Sequence, residues 1–322
     1  MSSVSIRPIR GEDFGPALEL WNETRRRDPI TARFFKRKIL FDVCFDPEGY
    51  LLAESDEGLC GYIYVVRRLR ALDNDNAPLP TDGWINGFGV LPDAPEGTAS
   101  LLLAAAEEFA KKHGLGKLSA TPYSPFYFTQ GFDSKYETHY IDMFKEAGYV
   151  PRGESYARDI DLLSWVEPPE LRAARAAAEA DGFGFGGLTN ELLVPFFAYL
   201  NTYQSAGWRI RIRELLYDND DLDRIRIVTY GGEVIGFCIF GDPDGSPERF
   251  GPFGVRADFR GRKLGQILLA DCLFEMKKRG LHNAWMQWTD KGCNAHYVYE
   301  KAGFYISRGH IILDKILAST DN

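Results

Sequence analysis

Four short segments recur, in the same order, in the two halves of this 322-residue chain. Leu59-Cys60-Gly61-Tyr62-Ile63-Tyr64-Val65 is matched by Val234-Ile235-Gly236-Phe237-Cys238-Ile239-Phe240, and Phe88-Gly89-Val90 by Phe253-Gly254-Val255. Lys112-His113-Gly114 is matched by Lys278-Arg279-Gly280, and Phe144-Lys145-Glu146-Ala147-Gly148-Tyr149 by Tyr299-Glu300-Lys301-Ala302-Gly303-Phe304. No single match carries weight. Four in one order are hard to obtain by chance, and a duplicated chain builds one kind of unit twice. The length suits two domains better than one.

Local patterns agree between the halves. In the first, Ile6–Ile9 reads as a strand and Glu12–Thr24 as an amphipathic helix. Tyr50–Glu54 and Gly61–Val66 read as hairpin strands, Asn86–Val90 as another strand, and Ala99–Lys112 as a helix stopped by Gly114. In the second, Phe183–Leu188 opens a strand and Leu192–Tyr203 a helix. Strands follow at Arg224–Thr229, Glu233–Phe240 and Arg249–Val255. A helix runs from Leu264 to Lys278, ended by Gly280, and Ala284–Trp288 is the next strand. Asp271, Glu275 and Lys278 share one polar stripe of that helix, while Leu264, Leu268, Cys272 and Met276 lie on buried faces. Pro168-Pro169 and the alanine-rich Leu171–Ala180 mark the junction. The division expected is residues 1–165, a linker helix over 166–180, and residues 181–322. Alternating strands and helices imply an α/β architecture with a mixed sheet in each half.

Composition excludes several classes. A formal net charge of -8 argues against nucleic acid or an anionic membrane as partner and fits cationic substrates such as amines. The longest apolar runs fall far short of the ~20 residues that span a bilayer. The first residues, Met1 to Arg7, form no apolar signal segment, so the cytoplasm is the expected location. The five cysteines are scattered, without the clustering of a disulfide scaffold or metal site, and no metal is expected. Cys60 and Cys238 read as small core residues.

The segment richest in chemistry is Gly254-Val255-Arg256-Ala257-Asp258-Phe259-Arg260-Gly261-Arg262-Lys263-Leu264-Gly265. A strand ends, a basic loop with glycines follows, and a helix begins. Helix N-termini present unpaired N–H groups and partial positive charge, and small residues let a phosphate approach them. Arg260, Arg262 and Lys263 add charge. The loop is built for an anion such as a pyrophosphate; the plainer reading is a basic turn before a core helix.

This segment resembles the acetyl-CoA signature of the GNAT (Gcn5-related N-acetyltransferase) superfamily: a strand ending in Val, then Arg/Gln-x-x-Gly-x-Gly/Ala opening a long helix. Ala295-His296-Tyr297-Val298-Tyr299-Glu300-Lys301-Ala302-Gly303-Phe304 resembles the superfamily's A-x-x-x-Tyr-Glu-Lys-x-Gly-Phe ending. The resemblance covers residues 183–313, and more weakly 4–156. It implies two GNAT-like domains in tandem, each a mixed, mostly antiparallel sheet flanked by helices. It further implies an acyltransferase holding acetyl-CoA on Gly254, Val255, Arg260, Gly261, Arg262, Lys263, Leu264 and Gly265. Lys263 stands where the pattern has its middle glycine, so its side chain either crowds the phosphate or contacts it.

In the superfamily the amine attacks the thioester directly. The resemblance makes Gly254 and Val255 the main chain that polarises the carbonyl, and Tyr299 the donor that protonates the leaving thiolate. The alternative for Tyr299 is a core tyrosine. Glu248 and Asp290 are candidate bases, each equally readable as a solvated loop charge. His282, His296 and His310 show no dyad in the sequence and receive no role. Asn294 receives none either. Trp285 and Trp288, three apart in one strand, are expected on opposite faces and chiefly in core packing.

At the place of the basic loop the first half reads Ala94-Pro95-Glu96-Gly97-Thr98-Ala99-Ser100, and Phe144 replaces Tyr299. Glu96 would repel a pyrophosphate and Phe144 has no proton to give. The first half is therefore expected to be a degenerate copy. The aromatic patch Tyr123–Phe128 either lines an acceptor cleft or packs between the domains. The activity implied is acetyl transfer to the amine of a small-molecule or amino-acid-like acceptor, by a monomer or homodimer, without nucleic acid or membrane. Mycothiol synthase, also a tandem GNAT chain, is a narrower possibility. The alternatives are a noncatalytic acyl-CoA-binding or sensory module, and an aminoacyl-transferring relative of the peptidoglycan-bridge enzymes. The acidic balance and CoA-like loop speak against the last.

Overall fold

The computed structural model describes residues 3–70, 79–123, 128–218, 221–241, 245–289 and 294–317, except the side chains of Asp218 and Asn294. The chain forms two compact units: residues 1–155 with 309–322, and residues 156–308.

The first unit begins with β1 (Ser5–Pro8), α1 (Phe14–Thr24), α2 (Ala32–Phe35), β2 (Tyr50–Ser55), β3 (Gly58–Arg67) and β4 (Asp82–Val90). It continues with α3 (Thr98–Lys112), β5 (Lys117–Ala120), β6 (Phe132–Asp133), α4 (Thr138–Glu146) and the opening of β7 (Val150–Asp161). Strands β1 to β4 pair antiparallel in sequence order, and β5 joins β4 in parallel. β3 reads as an almost unbroken apolar run because both faces are covered. Ile63 and Val65 enter a core with α3 and α4, while Tyr62, Tyr64 and Val66 enter one with α1. This is the two-residue alternation of a strand between helical layers.

The second unit contains α5 (Pro169–Ala180), β8 (Phe183–Gly187), α6 (Leu193–Tyr203), α7 (Ala206–Asp218), β9 (Ile225–Tyr230) and β10 (Glu233–Phe240). There follow β11 (Phe250–Val255), α8 (Leu264–Lys278), β12 (Asn283–Thr289), α9 (Asn294–Ala302) and the opening of β13 (Tyr305–Ile316). Strands β8, β9, β10 and β11 form an antiparallel sheet with β11 at its edge, and β12 pairs with the Tyr156–Asp161 part of β7. Ile235 and Cys238 face a core with α8 and α9, and Phe237 and Ile239 a core with α6 and α7.

The repeat is thus a repeat of elements. The matched segments fall on β3 and β10, on β4 and β11, at the ends of α3 and α8, and on α4 and α9. The compact units are drawn differently from the linear division at 165 and 181. Strand β13 closes by pairing Leu313 with Ala120 and Ile316 with Lys117, and Leu313 and Leu317 fill the first unit's core. A free strand edge draws in the chain's last strand whatever its distance in sequence. Cys44, Cys60, Cys238 and Cys272 are buried and free. Among the described residues no helix is long and apolar enough to cross a membrane.

Candidate functional site

Strand β11 has an open edge. Arg256 N–H donates to Ile235 O at 2.8 Å, which fixes the phase of the β10–β11 ladder. Residues 235 and 256 are a bonded pair, so Phe237 and Gly254 are too, and Val255 (opposite Gly236) falls between them. The N–H and C=O of Val255, and of Phe253, therefore turn away from β10. Strand β12 meets this part of the chain just before β11 starts, where Trp285 N–H donates to Glu248 O at 3.1 Å and Arg249 bridges Trp285. Beyond that tie a wedge opens beside β11.

The wedge belongs to a cleft of about 770 Å³. Its lining includes Gly254, Val255, Arg260, Gly261, Lys263, Leu264 and Gly265, seven of the eight residues expected to hold the cofactor. The structure brings these together because β11 runs through a short turn straight into α8. Gly265 permits that closeness: a Cβ there would press on Phe253 Cζ at 3.3 Å. The eighth residue, Arg262, is exposed and does not line the cleft; its guanidinium lies 5.9 Å from the Phe183 ring.

Lys263 is the N-cap of α8 at φ 59°, ψ 5°, a left-handed conformation that L side chains resist. The first unit begins α3 with Gly97 in the same conformation, φ 86°, ψ -6°. Both copies need this turn, and only the second fills it with a side chain. Lys263→Gly is expected to raise stability by about 0.5–1 kcal/mol, relief of strain exceeding the added chain entropy. Urea unfolding measures it, and an unchanged or lower midpoint would refute it. Neither Arg260 nor Lys263 has an ion-pair partner among the described residues, whereas Arg256 is held by Asp258 and Glu233. Among the described residues the cleft mouth therefore keeps two uncompensated cations.

Tyr299 is buried in α9, with its ring 6.1 Å from Phe253, 6.1 Å from Phe250 and 5.7 Å from Phe304. It does not line the cleft itself; Ala295 and Val298 of the same helix do. Its counterpart Phe144 likewise packs on Phe88, at 5.0 Å. Glu248 is half-buried outside the lining, and Asp290 lies outside the described residues. His296 does have partners, contrary to the sequence reading. Nε2 lies 3.2 Å from Glu300 Oε1, and Nδ1 meets the buried Arg158 guanidinium, which also donates to Thr289 Oγ1 at 3.1 Å. An i,i+4 pair on a helix is simply easy to overlook. The opposite-face argument for Trp285 and Trp288 also fails. Trp288 has φ 63° and the β12–β7 register shifts between Met286 and Thr289, so alternation breaks there. Of the aromatic patch, residues 124–127 lie outside the described residues; Tyr123 packs on Trp84 and Phe128 on Trp21 within the first unit.

The sequence reading missed Tyr203, Gln204 and Trp208, which line the cleft from the end of α6 and the start of α7. Buried Tyr199 lies behind them, its hydroxyl 3.4 Å from Gly254 O and 2.8 Å from Gln204 Nε2.

The first unit shows what closes such a wedge. Leu91 N–H donates to Cys60 O at 2.9 Å, so Val90, opposite Gly61, turns outward as Val255 does. Tyr140 of α4 fills the space. Its hydroxyl accepts from Val90 N–H at 3.3 Å and lies 3.4 Å from Val90 O and from Thr24 O. Counting back from the Phe144–Tyr299 match, Tyr140 corresponds to Ala295. One copy carries a plug where the other carries a methyl group.

Residues 190–304, which include the whole cleft, match the model of the acetyltransferase (GNAT) family. No curated protein matches the chain by sequence. Among solved structures, one similar protein is the GCN5-related glucosamine N-acetyltransferase region of a fungal multi-domain GH3 β-N-acetylglucosaminidase. The TM-score is 0.76 at 15% identity, over 98% of this chain and 38% of that one. A GCN5-related N-acetyltransferase from Sphaerobacter thermophilus gives 0.69 at 15% identity, over 97% and 95%. A tandem GNAT protein from the clavulanic acid biosynthesis pathway gives 0.64 at 16% identity, over 99% and 100%. At these identities the likeness is one of fold. The chain is an α/β protein with two GNAT-like units in tandem.

Proposed function

We propose that the second unit is an acetyl-CoA-dependent N-acetyltransferase that acetylates the amine of a small-molecule or amino-acid-like acceptor by direct attack. The observation that carries this is the wedge beside β11, with the Val255 N–H turned into it and Arg260 and Lys263 at its mouth without an ion-pair partner among the described residues. The cleft fits a long anionic thioester. Among the described residues its lining contains no carboxylate, the α8 N-terminus has no side-chain cap, and an open strand edge can pair with an extended amide chain. Acetyl-CoA, when bound, supplies the activated acyl group. Val255 N–H polarises the thioester carbonyl as charge builds on its oxygen. Arg260, Lys263 and the first-turn N–H groups hold the phosphates. Tyr299, in the same helix as Ala295 and Val298, is the proposed donor to the departing thiolate.

The first unit holds no acyl-CoA in this reading, because Tyr140 occupies its wedge and Glu96 replaces the cations. Calorimetric titration with acetyl-CoA is expected to show one site per chain; two sites of similar affinity would overturn this assignment. Turnover is read by thiol release with a panel of amines. A thiolate, with a reference pKa near 8.5, leaves without much help, so Tyr299→Phe is expected to lower kcat only about tenfold at neutral pH, with acetyl-CoA affinity unchanged. Acetyl-CoA binding without turnover on any amine, unaffected by Tyr299→Phe, would instead support the noncatalytic module. The burial of Tyr299 favours that second reading. In the same titration Lys263→Gly is expected to weaken binding, as loss of a phosphate ligand; tighter binding would make the lysine an obstruction.

A further inference from the structure

Hydrogen bonds beside the cleft fix which way the Gln204 amide faces. A backbone carbonyl can only accept, so the Tyr199 hydroxyl donates to Gly254 O. Burial pushes the Tyr199 phenol up to about 12, so it keeps its proton at any working pH. With that proton directed at Gly254, the phenol oxygen is left as an acceptor. Only the nitrogen end of the Gln204 amide can serve it, at 2.8 Å; the reverse orientation would set two acceptors face to face. The Gln204 oxygen is thereby aimed elsewhere. Gln204 lines the cleft, and a Cβ on Gly254 would lie 3.7 Å from its Nε2 and 3.9 Å from its Oε1. The amide therefore stands directly over Gly254, one residue from the outward Val255 N–H.

We infer that Gln204 Oε1 accepts an N–H from the acceptor amine, with Tyr199 as the positioning residue that locks the amide, and that this site selects weakly basic amines. The inference rests on the acetyltransferase reading of the cleft. The amine lone pair forms the new C–N bond, the C–S pair departs on sulfur, Tyr299 protonates that sulfur, and the one proton the nitrogen sheds returns through water to the tyrosine. Gln204 orients the amine and takes no proton. Among the described residues lining the cleft there is no carboxylate to pair with an ammonium or take its proton: Arg256 is already held by Asp258 and Glu233, Arg260 and Lys263 are engaged with the phosphates in this reading, and Tyr199 and Tyr203 of α6 and Trp208 of α7 bring no charge. An ammonium is thus disfavoured here. An amine of α-amino type, with a reference pKa of about 7.7–8.0, enters neutral far more often than an alkylamine near 10.4.

The test measures kcat/KM at pH 7.5 across primary amines of graded basicity, with acetyl-CoA affinity measured by calorimetry for each variant. Wild type is expected to favour the weaker bases. Gln204→Leu is expected to lose about tenfold in kcat/KM for the acceptor, with acetyl-CoA Kd within about twofold of wild type. Tyr199→Phe is expected to raise acceptor KM more than it lowers kcat. Gln204→Glu supplies an oxygen that can also take a proton, so it is expected to extend turnover to strongly basic amines. Unchanged acceptor kinetics in Gln204→Leu, or an equal loss of acetyl-CoA affinity, would overturn the assignment. A wild-type protein that binds no acetyl-CoA would overturn it together with the acetyltransferase reading.

Discussion

Replacing Ala295 with tyrosine is expected to abolish acetyl-CoA binding while leaving the second unit folded. The first unit already performs this experiment. Tyr140 occupies the equivalent place, buries its ring against Phe88 at 5.2 Å, and bonds the outward Val90 N–H. A phenol at residue 295 would enter the cleft that Ala295 now lines and satisfy the Val255 N–H from within the protein. An incoming thioester would lose both its space and its hydrogen bond. Affinity is expected to fall more than a hundredfold, or about 2.7 kcal/mol. Ala295 is half-buried beside open volume, so the larger side chain meets a cavity and not a packed core. The melting temperature should therefore change little. Calorimetry with acetyl-CoA and a thermal melt measure the two halves of the prediction. Wild-type affinity in a folded Ala295→Tyr protein would show that the ligand does not run beside β11. The reverse substitution, Tyr140→Ala, is expected to create a hole without a second site, since Glu96 remains and no cations replace it.

The repeat, the order of strands and helices and the basic loop were legible because each rests on local signals. Alternation gave β3 and β10, and the glycines after Lys112 and Lys278 gave the helix ends. Helix α7 was not legible. Trp208-Arg209-Ile210-Arg211-Ile212-Arg213 alternates apolar and basic residues with period two, which gives no helical stripe. The helix forms because Ala206, Ile212 and Leu215 are buried, and because Arg209 reaches back to Asn201 O at 3.4 Å and Gln204 O at 3.3 Å at the end of α6. Missing α7 meant missing Trp208 and the connecting residue Gln204 before it, the two side chains nearest to Gly254. The closing half of β13 and the Tyr140 plug were hidden for a different reason. Both depend on partners far away in sequence, Ala120 and Val90, and no local pattern reports a distant partner. The polar stripe on α8 was legible, but its burial was not. Residues at helical spacing look solvated until the elements that cover them are known, and Glu275 is in fact buried and Asp271 half-buried.

Replacing Asp271 is expected to have a large effect on the stability of the second unit. Asp271 Oδ1 accepts from Arg175 of α5 at 3.0 Å and its Oδ2 from Arg226 of β9 at 2.7 Å. The side chains of Asp271 and Arg226 are each 13% exposed and that of Arg175 is 23% exposed, so water screens the trio poorly. Forming such a group gains little over an apolar core, because desolvation offsets the attraction. Removing one member is another matter. Asp271→Ala leaves two guanidiniums facing each other across an alanine, with only Asp223, 3.6 Å from Arg226, to compensate among the described residues. A loss of about 3 kcal/mol is expected, with α5 the first element to loosen from α8. The pair Lys112–Glu48 is the control, at 2.6 Å but with side chains 61% and 53% exposed. Lys112→Ala is expected to cost less than about 0.5 kcal/mol despite the shorter contact. Urea unfolding of both variants measures the difference, and hydrogen exchange over residues 169–180 locates it. Equal and small losses would mean that water reaches Asp271 and that the helix pair is held by Leu171 and Ala178 in the apolar core alone.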